Sequence, residues 1–502
     1  MRSPRQWSVT TALIVAGALF LEFFDGNVLI TALPAMGVDF GVTSTDIGLA
    51  ITLYLGAAAI GVPLAARLAD RVGEKPVFLA SIVLFALASV GSAVSVSVEM
   101  LMAFRLLQGT AGAMLVPVGR SIVLRGSAEA ARIRLVAYLT WPALLAPLLA
   151  PLVGGFLTEF VSWRAIFLLN IPICLVLFIA AKIAIPARPP QGVGRFDTIG
   201  WALFALAVAS LIVTMELAGM DGYLIATSVV AAAAAMLVSG FVWWLRRAKN
   251  PLWNVGVFRR PTFSVSNVGG IVYRTAVFSG PFLIILLLQV GYGWSPVEAG
   301  VAITWLFLGN LMIKFVVTAL LNRFGFLPMI WVATLTVSAT FVAIALWADQ
   351  LPYPLFVALL FVSGVSRSLG LSNYSTLQYA DIDTNQMSTA NSVVSVWGQL
   401  AAGFAVAASV LIVRLVDSFG PFLGGAGGAG AALGYQVALI VMAGLIALSL
   451  IDTRRLPPGP GDNLRTLKIR TSQGLGPGPW VPEQGPRDTQ RPRLAGGANR
   501  GL

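Results

Sequence analysis

The chain has 502 residues, of which 57% are hydrophobic and only 11% are Asp, Glu, Lys or Arg, and its mean hydropathy is +0.85. Soluble domains carry about 25% charged residues, so a string of soluble domains is excluded. There is no His, and Cys174 is the single cysteine, which rules out disulfides, CxxC redox pairs, His-based triads and thiolate–imidazole metal sites. No metal and no cofactor are expected. No G-x-x-x-x-G-K-[ST] loop occurs, so nothing marks the chain as its own ATPase or as an enzyme. The net charge of +12 would suit a nucleic acid, but its distribution assigns it to membrane topology, and no nucleic-acid partner is expected.

Fourteen apolar stretches, each near the roughly 20 residues that a bilayer core demands, fall near 9–33, 47–66, 76–97, 99–119, 135–157, 165–185, 198–217, 223–245, 262–289, 297–320, 328–347, 355–376, 388–414 and 434–451. Backbone polar groups find no water in hydrocarbon, and no alternation in ten-residue blocks appears, so the spans are helices of an all-α polytopic membrane protein. The first follows Arg2 and Arg5 without a convincing cleavage site and reads as a retained helix. An even number of spans puts both termini on one side. All but six of the 33 Lys and Arg fall in the segments on that side, the six being Arg105, Arg164, Arg274, Lys314, Arg367 and Arg414. That asymmetry predicts cytoplasmic termini. Residues 453–502, with PPGPG and GPGPW, read as a disordered cytoplasmic tail, and 420–433 as a flexible connector.

An internal echo organises the spans. Leu68-Ala69-Asp70-Arg71-Val72-Gly73, read as a loop after span two, matches Leu321-Asn322-Arg323-Phe324-Gly325 after span ten at an offset of 252 residues. Each follows the second helix of a six-helix set if spans seven and eight are inserted. The expected division is a first six-helix half at 7–186, an inserted pair at 198–245, a second half at 262–452 and the tail from 453. Parallel six-helix halves with a site at the midplane are a transporter architecture.

Four motifs sit on this frame. Ala66-Arg67-Leu68-Ala69-Asp70-Arg71-Val72-Gly73-Glu74-Lys75 lies between spans two and three; Leu101, Arg105, Gln108, Gly109 and Gly112 line span four; Ala150-Pro151-Leu152-Val153-Gly154-Gly155 lies in span five; and Asp25-Gly26-Asn27-Val28-Leu29-Ile30-Thr31-Ala32-Leu33-Pro34 lies in span one. These resemble G-x-L-A-D-R-x-G-R-K, L-x-x-x-R-x-x-Q-G-x-G, G-P-x-x-G-G and L-D-x-T-[IV]-V-N-x-A-L-P of the major facilitator superfamily, and within it the fourteen-span drug:proton antiporters. Trp163-Arg164-Ala165-Ile166-Phe167-Leu168-Leu169-Asn170-Ile171-Pro172 and the pairs Asn391-Ser392 and Gln399-Leu400 are also family-like, and read as packing features. The resemblance implies the major facilitator fold, a cytoplasmic gate at Asp70, Arg71 and Gly73 that latches the halves, an antiporter-type kink at Pro151, Gly154 and Gly155, and an Arg105 linked to proton movement. Ala66, Glu74 and Ala150 depart from the family pattern.

Glu22 and Asp25, three residues apart on one helix face, are the only acids deep inside a span. Low dielectric and a neighbouring carboxylate favour a shared proton there, and each charge moved through 100 mV supplies about 2.3 kcal/mol. Asp25, which matches the acidic position of the motif, is the expected proton carrier; Glu22 shares or tunes that proton. The 252 offset carries Glu22 onto Arg274, so an acid and a base are expected at equivalent depths. Arg274 and Lys314 are candidate cavity bases, with Arg367 as a further intramembrane charge. The chain is thus expected to export a small molecule against protons by alternating access, as a monomer in the inner membrane of a bacterium. The leading substrate class is toxic lipophilic compounds. An exporter of an anionic metabolite or organic acid is the alternative within the fold, and a passive pore or membrane sensor the alternative outside it.

Overall fold

A computed structural model describes residues 4–125, 129–190, 196–220, 222–383, 386–419 and 430–456. Most of the expected connector and tail lie outside these. Among the described residues every regular element is helical. The spans, numbered one to fourteen, are Val9–Phe40, Ser44–Val72, Glu74–Ala93, Val98–Arg125, Tyr138–Phe160, Arg164–Ala184, Thr198–Ala218, Leu224–Arg247, Pro261–Gly291, Pro296–Phe315, Phe326–Trp347, Tyr353–Leu377, Thr389–Ser418 and Ala431–Thr453. They form two six-helix halves and an inserted pair. The pair, spans seven and eight, packs on itself and touches the halves through spans two and thirteen.

The internal echo is structural. Spans two and ten both open on a capping box, Thr43 with Asp46 and Ser295 with Glu298, in which the hydroxyl accepts from the third helical N–H and the acid returns to the cap N–H. Both boxes sit at the 252 offset, and so do Gly48 and Gly300. At the other end the stretches read as loops turn out to be last helical turns, of Ser44–Val72 and Val317–Phe324. Only the glycine breaks them. Gly73 has φ 105°, ψ 147° and Gly325 φ 84°, ψ 169°, a region open in practice to Gly alone, and each is followed at once by the next helix.

Regularity fails where the first helices of the two halves meet. Span one runs as an α-helix through Gly26 to Val28 and tightens into a 3-10 turn at Leu29–Ala32; Pro34, which lacks an N–H, lies just beyond. Span nine widens into a π-type turn at Leu287–Gly291. Gln289 donates from that turn to the Thr31 carbonyl at 3.0 Å. The contact fixes relative depth. Glu22 lies nine residues from Thr31 and Arg274 fifteen from Gln289, so Arg274 sits about 9 Å nearer the termini at 1.5 Å per residue. The 252 offset therefore does not extend into span nine, and the expected equivalence of Glu22 and Arg274 is corrected.

Gly73→Ala and Gly325→Ala should each lower stability by about 1–3 kcal/mol through backbone strain. Thermal unfolding of the purified protein in detergent checks this; unchanged midpoints would mean that the breaks do not need glycine.

Candidate functional site

Five spans of the first half converge on one ion pair. Asp25 is 1% exposed and Arg105 0%. Arg105 Nη1 donates to Asp25 Oδ2 at 2.6 Å, while Asp25 Oδ1 accepts from Gln108 Nε2 at 3.0 Å and Asn170 Nδ2 at 2.8 Å. Gln108 Oε1 accepts from the same guanidinium at 2.8 Å, and Gln108 Nε2 reaches Ser89 Oγ at 3.0 Å. Tyr54 of span two covers the cation, with its ring centroid 4.2 Å from Arg105 Cζ. That approach explains Gly109: a Cβ there would collide with the Tyr54 carbonyl. Asp25 is thus a carboxylate saturated by donors from spans four and six, all inside its own half.

Glu22 is placed differently. One helical turn nearer the termini, it is 4% exposed and accepts from Gln399 Nε2 of span thirteen at 3.3 Å. This bond crosses between the halves. A Cβ at Gly112 would meet Glu22 Cγ at 3.5 Å and the Tyr54 hydroxyl at 3.2 Å, so the span-four glycine leaves the carboxylate its room. Arg120, exposed on span four, lies within electrostatic reach. Of the two acids, Glu22 faces the other half and Asp25 is enclosed.

On the side of the termini the motif residues bond within the first half. Asp70 Oδ1 meets both terminal nitrogens of Arg125 at 3.4 Å. Glu74 is buried, accepts from Ser121 Oγ at 2.5 Å, and meets Arg125 at 3.4 Å and Arg188 at 3.9 Å. Lys75 Nζ donates to the Lys182 carbonyl at 2.8 Å. Arg71 is exposed and Gly73 supplies the break. A residue that departs from the family motif, Glu74, is therefore a node of this network.

The opposite side joins the halves. Glu159 of span five accepts from the Val297 N–H of span ten at 2.9 Å. A Cβ at Gly155 would strike the Pro296 carbonyl and one at Gly300 the Pro151 carbonyl, so these two backbones touch; Gly154 faces Thr31 and the Val28 carbonyl of span one. The expected kink residues thus lie where span five is wedged between spans one and ten. Arg414 of span thirteen completes the closure, with Nη2 2.7 Å from Asp46 of span two and Nη1 2.8 Å from Glu216 of span seven.

The second half holds bases. Arg274 is 5% exposed, donating to the Ser266 carbonyl at 3.2 Å and Gln378 Oε1 at 3.1 Å. Lys314 sits in a 3-10 turn, Ile313–Phe315, and donates to Ser372 Oγ at 2.6 Å. Arg367 lies between the rings of Phe278 and Phe307, 5.6 and 5.5 Å from their centroids. Among the described residues none of the three is ion-paired.

Three functional contacts were not assigned from the sequence. Asn170 and Gln399 fall in stretches read as packing, yet each is a hydrogen-bond donor to a span-one acid; a polar amide in the middle of an apolar run was the available signal. Tyr54 carried none.

Two six-helix halves meeting around buried charges give this chain the architecture of a multi-pass membrane transporter. The sequence profile of the Major Facilitator Superfamily matches residues 15–406, and the chain belongs to that superfamily. The putative multidrug resistance protein MdtD of Escherichia fergusonii is 34% identical over 413 residues, 81% of this chain and 86% of the relative; that of Escherichia coli K12 is 33% identical over the same length and coverage. Among solved structures, a bacterial homologue of the human lysosomal transporter Spinster, inward-facing and unoccupied, superposes with a TM-score of 0.64 at 14% identity, covering 89% of this chain and 97% of that one. A D-xylose–proton symporter gives 0.60 at 15% identity, over 88% and 96%. These two likenesses are of fold.

Arg105→Met should leave Asp25 buried without its counter-charge and cost about 3–5 kcal/mol. Combining it with Asp25→Asn should restore much of the loss, measured as thermal midpoints of the four proteins; additive losses would mean the two side chains do not act as a pair. Gly155→Val should force spans five and ten apart. In a Cys174→Ser background, a single cysteine at Val297 should then react faster with a water-soluble maleimide; an unchanged rate would show that the contact does not hold this side closed.

Proposed function

We propose that the protein is a proton-coupled exporter of toxic lipophilic small molecules, working as a monomer in the bacterial inner membrane with both termini in the cytoplasm. The halves, 7–186 and 262–452, rock about the midplane, and the arrangement described, joined on the side away from the termini, corresponds to an inward-facing state. The MdtD relatives are described as multidrug resistance proteins, which supports the substrate class.

The observation that carries the reading is the Glu22–Gln399 bond between halves, set against an Asp25 saturated inside one half. A proton carrier has to exchange with water on alternate sides, and a carboxylate at the interface of the moving halves meets that need. Glu22 is the proton carrier in this reading, with Asp25–Arg105 as the charged pair that responds to it. Protonated from outside, Glu22 loses its charge, and closing the outer side over it no longer buries an ion. Opened inward, it releases the proton to the cytoplasm and the carboxylate is again held by Gln399 as substrate enters. Each cycle draws about 2.3 kcal/mol per charge per 100 mV, plus any pH gradient. Asp70, Arg71 and Gly73 belong to the cytoplasmic gate.

A second reading, export of an anionic metabolite, is favoured by the bases Arg274, Lys314 and Arg367, which have no acidic partner among the described residues.

Proteoliposomes with an imposed pH gradient test both readings. Glu22→Gln should insert normally, keep substrate exchange and lose the response to the gradient. Coupling retained in Glu22→Gln but lost in a stably folded Asp25→Asn would return the proton to Asp25, and wild-type flux indifferent to the gradient would make the protein a passive pore. Arg274→Glu should spare export of a lipophilic cation; loss of organic-acid export alone would establish the anionic substrate.

A further inference from the structure

The inserted pair has a recess of its own. A cavity of about 680 Å³ lies between spans seven, eight and thirteen, walled by Phe204, Val208, Phe241, Trp253, Trp397 and other apolar side chains. It extends from Arg246 to Val238 along span eight and from Val396 to Phe404 along span thirteen, each about 12 Å at 1.5 Å per residue. On its rim Val238 and Val242, within a membrane span, are each 38% exposed, so the recess is open at the depth of the acyl chains. Its shape is preformed. Phe204, Phe241 and Trp253 pack against one another with tilted or edge-on rings at 5.2 to 5.8 Å. Trp253 donates to Ser392 of span thirteen at 3.1 Å. Asp197 ties the near end by accepting from Gly200 N at 2.9 Å, Trp244 Nε1 at 2.8 Å and Leu252 N at 2.9 Å.

Only one end is charged. Arg246, in the last turn of span eight, and Arg259, in the 3-10 turn before span nine, line the mouth on the side of the termini. Both are exposed, and among the described residues neither guanidinium has an ion pair or hydrogen bond. Arg247 and Lys249 stand close by in sequence. An apolar slot entered from the acyl region with two free guanidinium groups at headgroup level matches an amphiphile with a hydrocarbon chain and an anionic phosphate head.

We propose that this recess binds an anionic glycerophospholipid of the cytoplasmic leaflet, one acyl chain along the aromatic wall and the phosphate on Arg246 and Arg259. The lipid then clamps the inserted pair to span thirteen of the second half. Because the walls of the recess come from the pair and from span thirteen, the occupant would stiffen their junction.

The test uses the full chain in phosphatidylcholine vesicles with a minor fraction of acyl-brominated lipid, read as quenching of tryptophan fluorescence. Subtracting the Trp253→Phe/Trp397→Phe protein from wild type isolates the cavity signal. Brominated phosphatidylglycerol should quench that signal more than brominated phosphatidylcholine, and the preference should fall about fivefold for each of Arg246→Gln and Arg259→Gln, while Arg323→Gln, on the same side but outside the cavity, keeps it. Should the tryptophan variants fold poorly, native mass spectrometry of the wild type and the double arginine variant gives the same answer, with phosphatidylglycerol retained only by the former. Equal quenching by the two lipids, a preference that survives both arginine substitutions, or displacement of the lipid by tetraphenylphosphonium, which would make the recess a substrate entrance, would each overturn the proposal.

Discussion

A charge inside a bilayer has to be compensated within the protein, and Asp25 with Arg105 is where that constraint organises the first half. Solvating the carboxylate takes one guanidinium and two amides, from spans four and six, with Tyr54 over the cation. To bring them within 3 Å, spans one to four and six must converge, and Gly109 is the residue that lets span two come close enough. Removing one partner from a buried pair costs about 3–5 kcal/mol. The pair therefore fixes a rigid unit, and a transporter needs its halves rigid if their interface is to be what moves.

The two halves share a scaffold and differ in charge. The capping boxes at Thr43 and Ser295, the glycines 48 and 300, and the helix breaks at Gly73 and Gly325 keep one offset, so spans two and ten begin and end alike. Each uses its glycine face against the opposite half: Gly48 against Val410 of span thirteen, Gly300 against Pro151 of span five. The chemistry is distributed the other way. Span one carries both acids, whereas Arg274, Lys314 and Arg367 lie in the second half. Asp25 is enclosed with Arg105 inside the first half, and of the two acids it is Glu22 that reaches the other half, through Gln399.

Much of this could be read from the sequence because a membrane makes polar residues conspicuous. All fourteen spans, the two acids of span one and Arg105 stand out against apolar runs, whereas the last helical turns before Gly73 and Gly325 read as loops. Which acid faces the other half could not be read: Glu22 and Asp25 share a helix face, and the difference arises from Asn170 and Gln399, 145 and 377 residues away in sequence from their partners. The depth of Arg274 was misjudged for a similar reason. The segment between the irregular turn and the capping box is shorter in the second half, so a register that holds in span ten does not hold in span nine.

The strengths of these contacts divide the molecule into what stays and what moves. The closure away from the termini rests on Arg414 with Asp46 and Glu216, on Glu159 with a backbone N–H, and on glycine contacts. Arg414 is 12% and Asp46 37% exposed, so this half-buried pair is more hydrated than the enclosed Asp25–Arg105 pair. Arg414 holds Asp46 of span two and Glu216 of the inserted pair at once. The buried pair around Asp25 is costlier to break and crosses no moving boundary. Glu22 lies on the seam between the halves through Gln399, and the inserted pair holds both sides of it, with Trp201 of span seven donating to the Ile60 carbonyl of span two at 3.0 Å and Glu216 held by Arg414 of span thirteen.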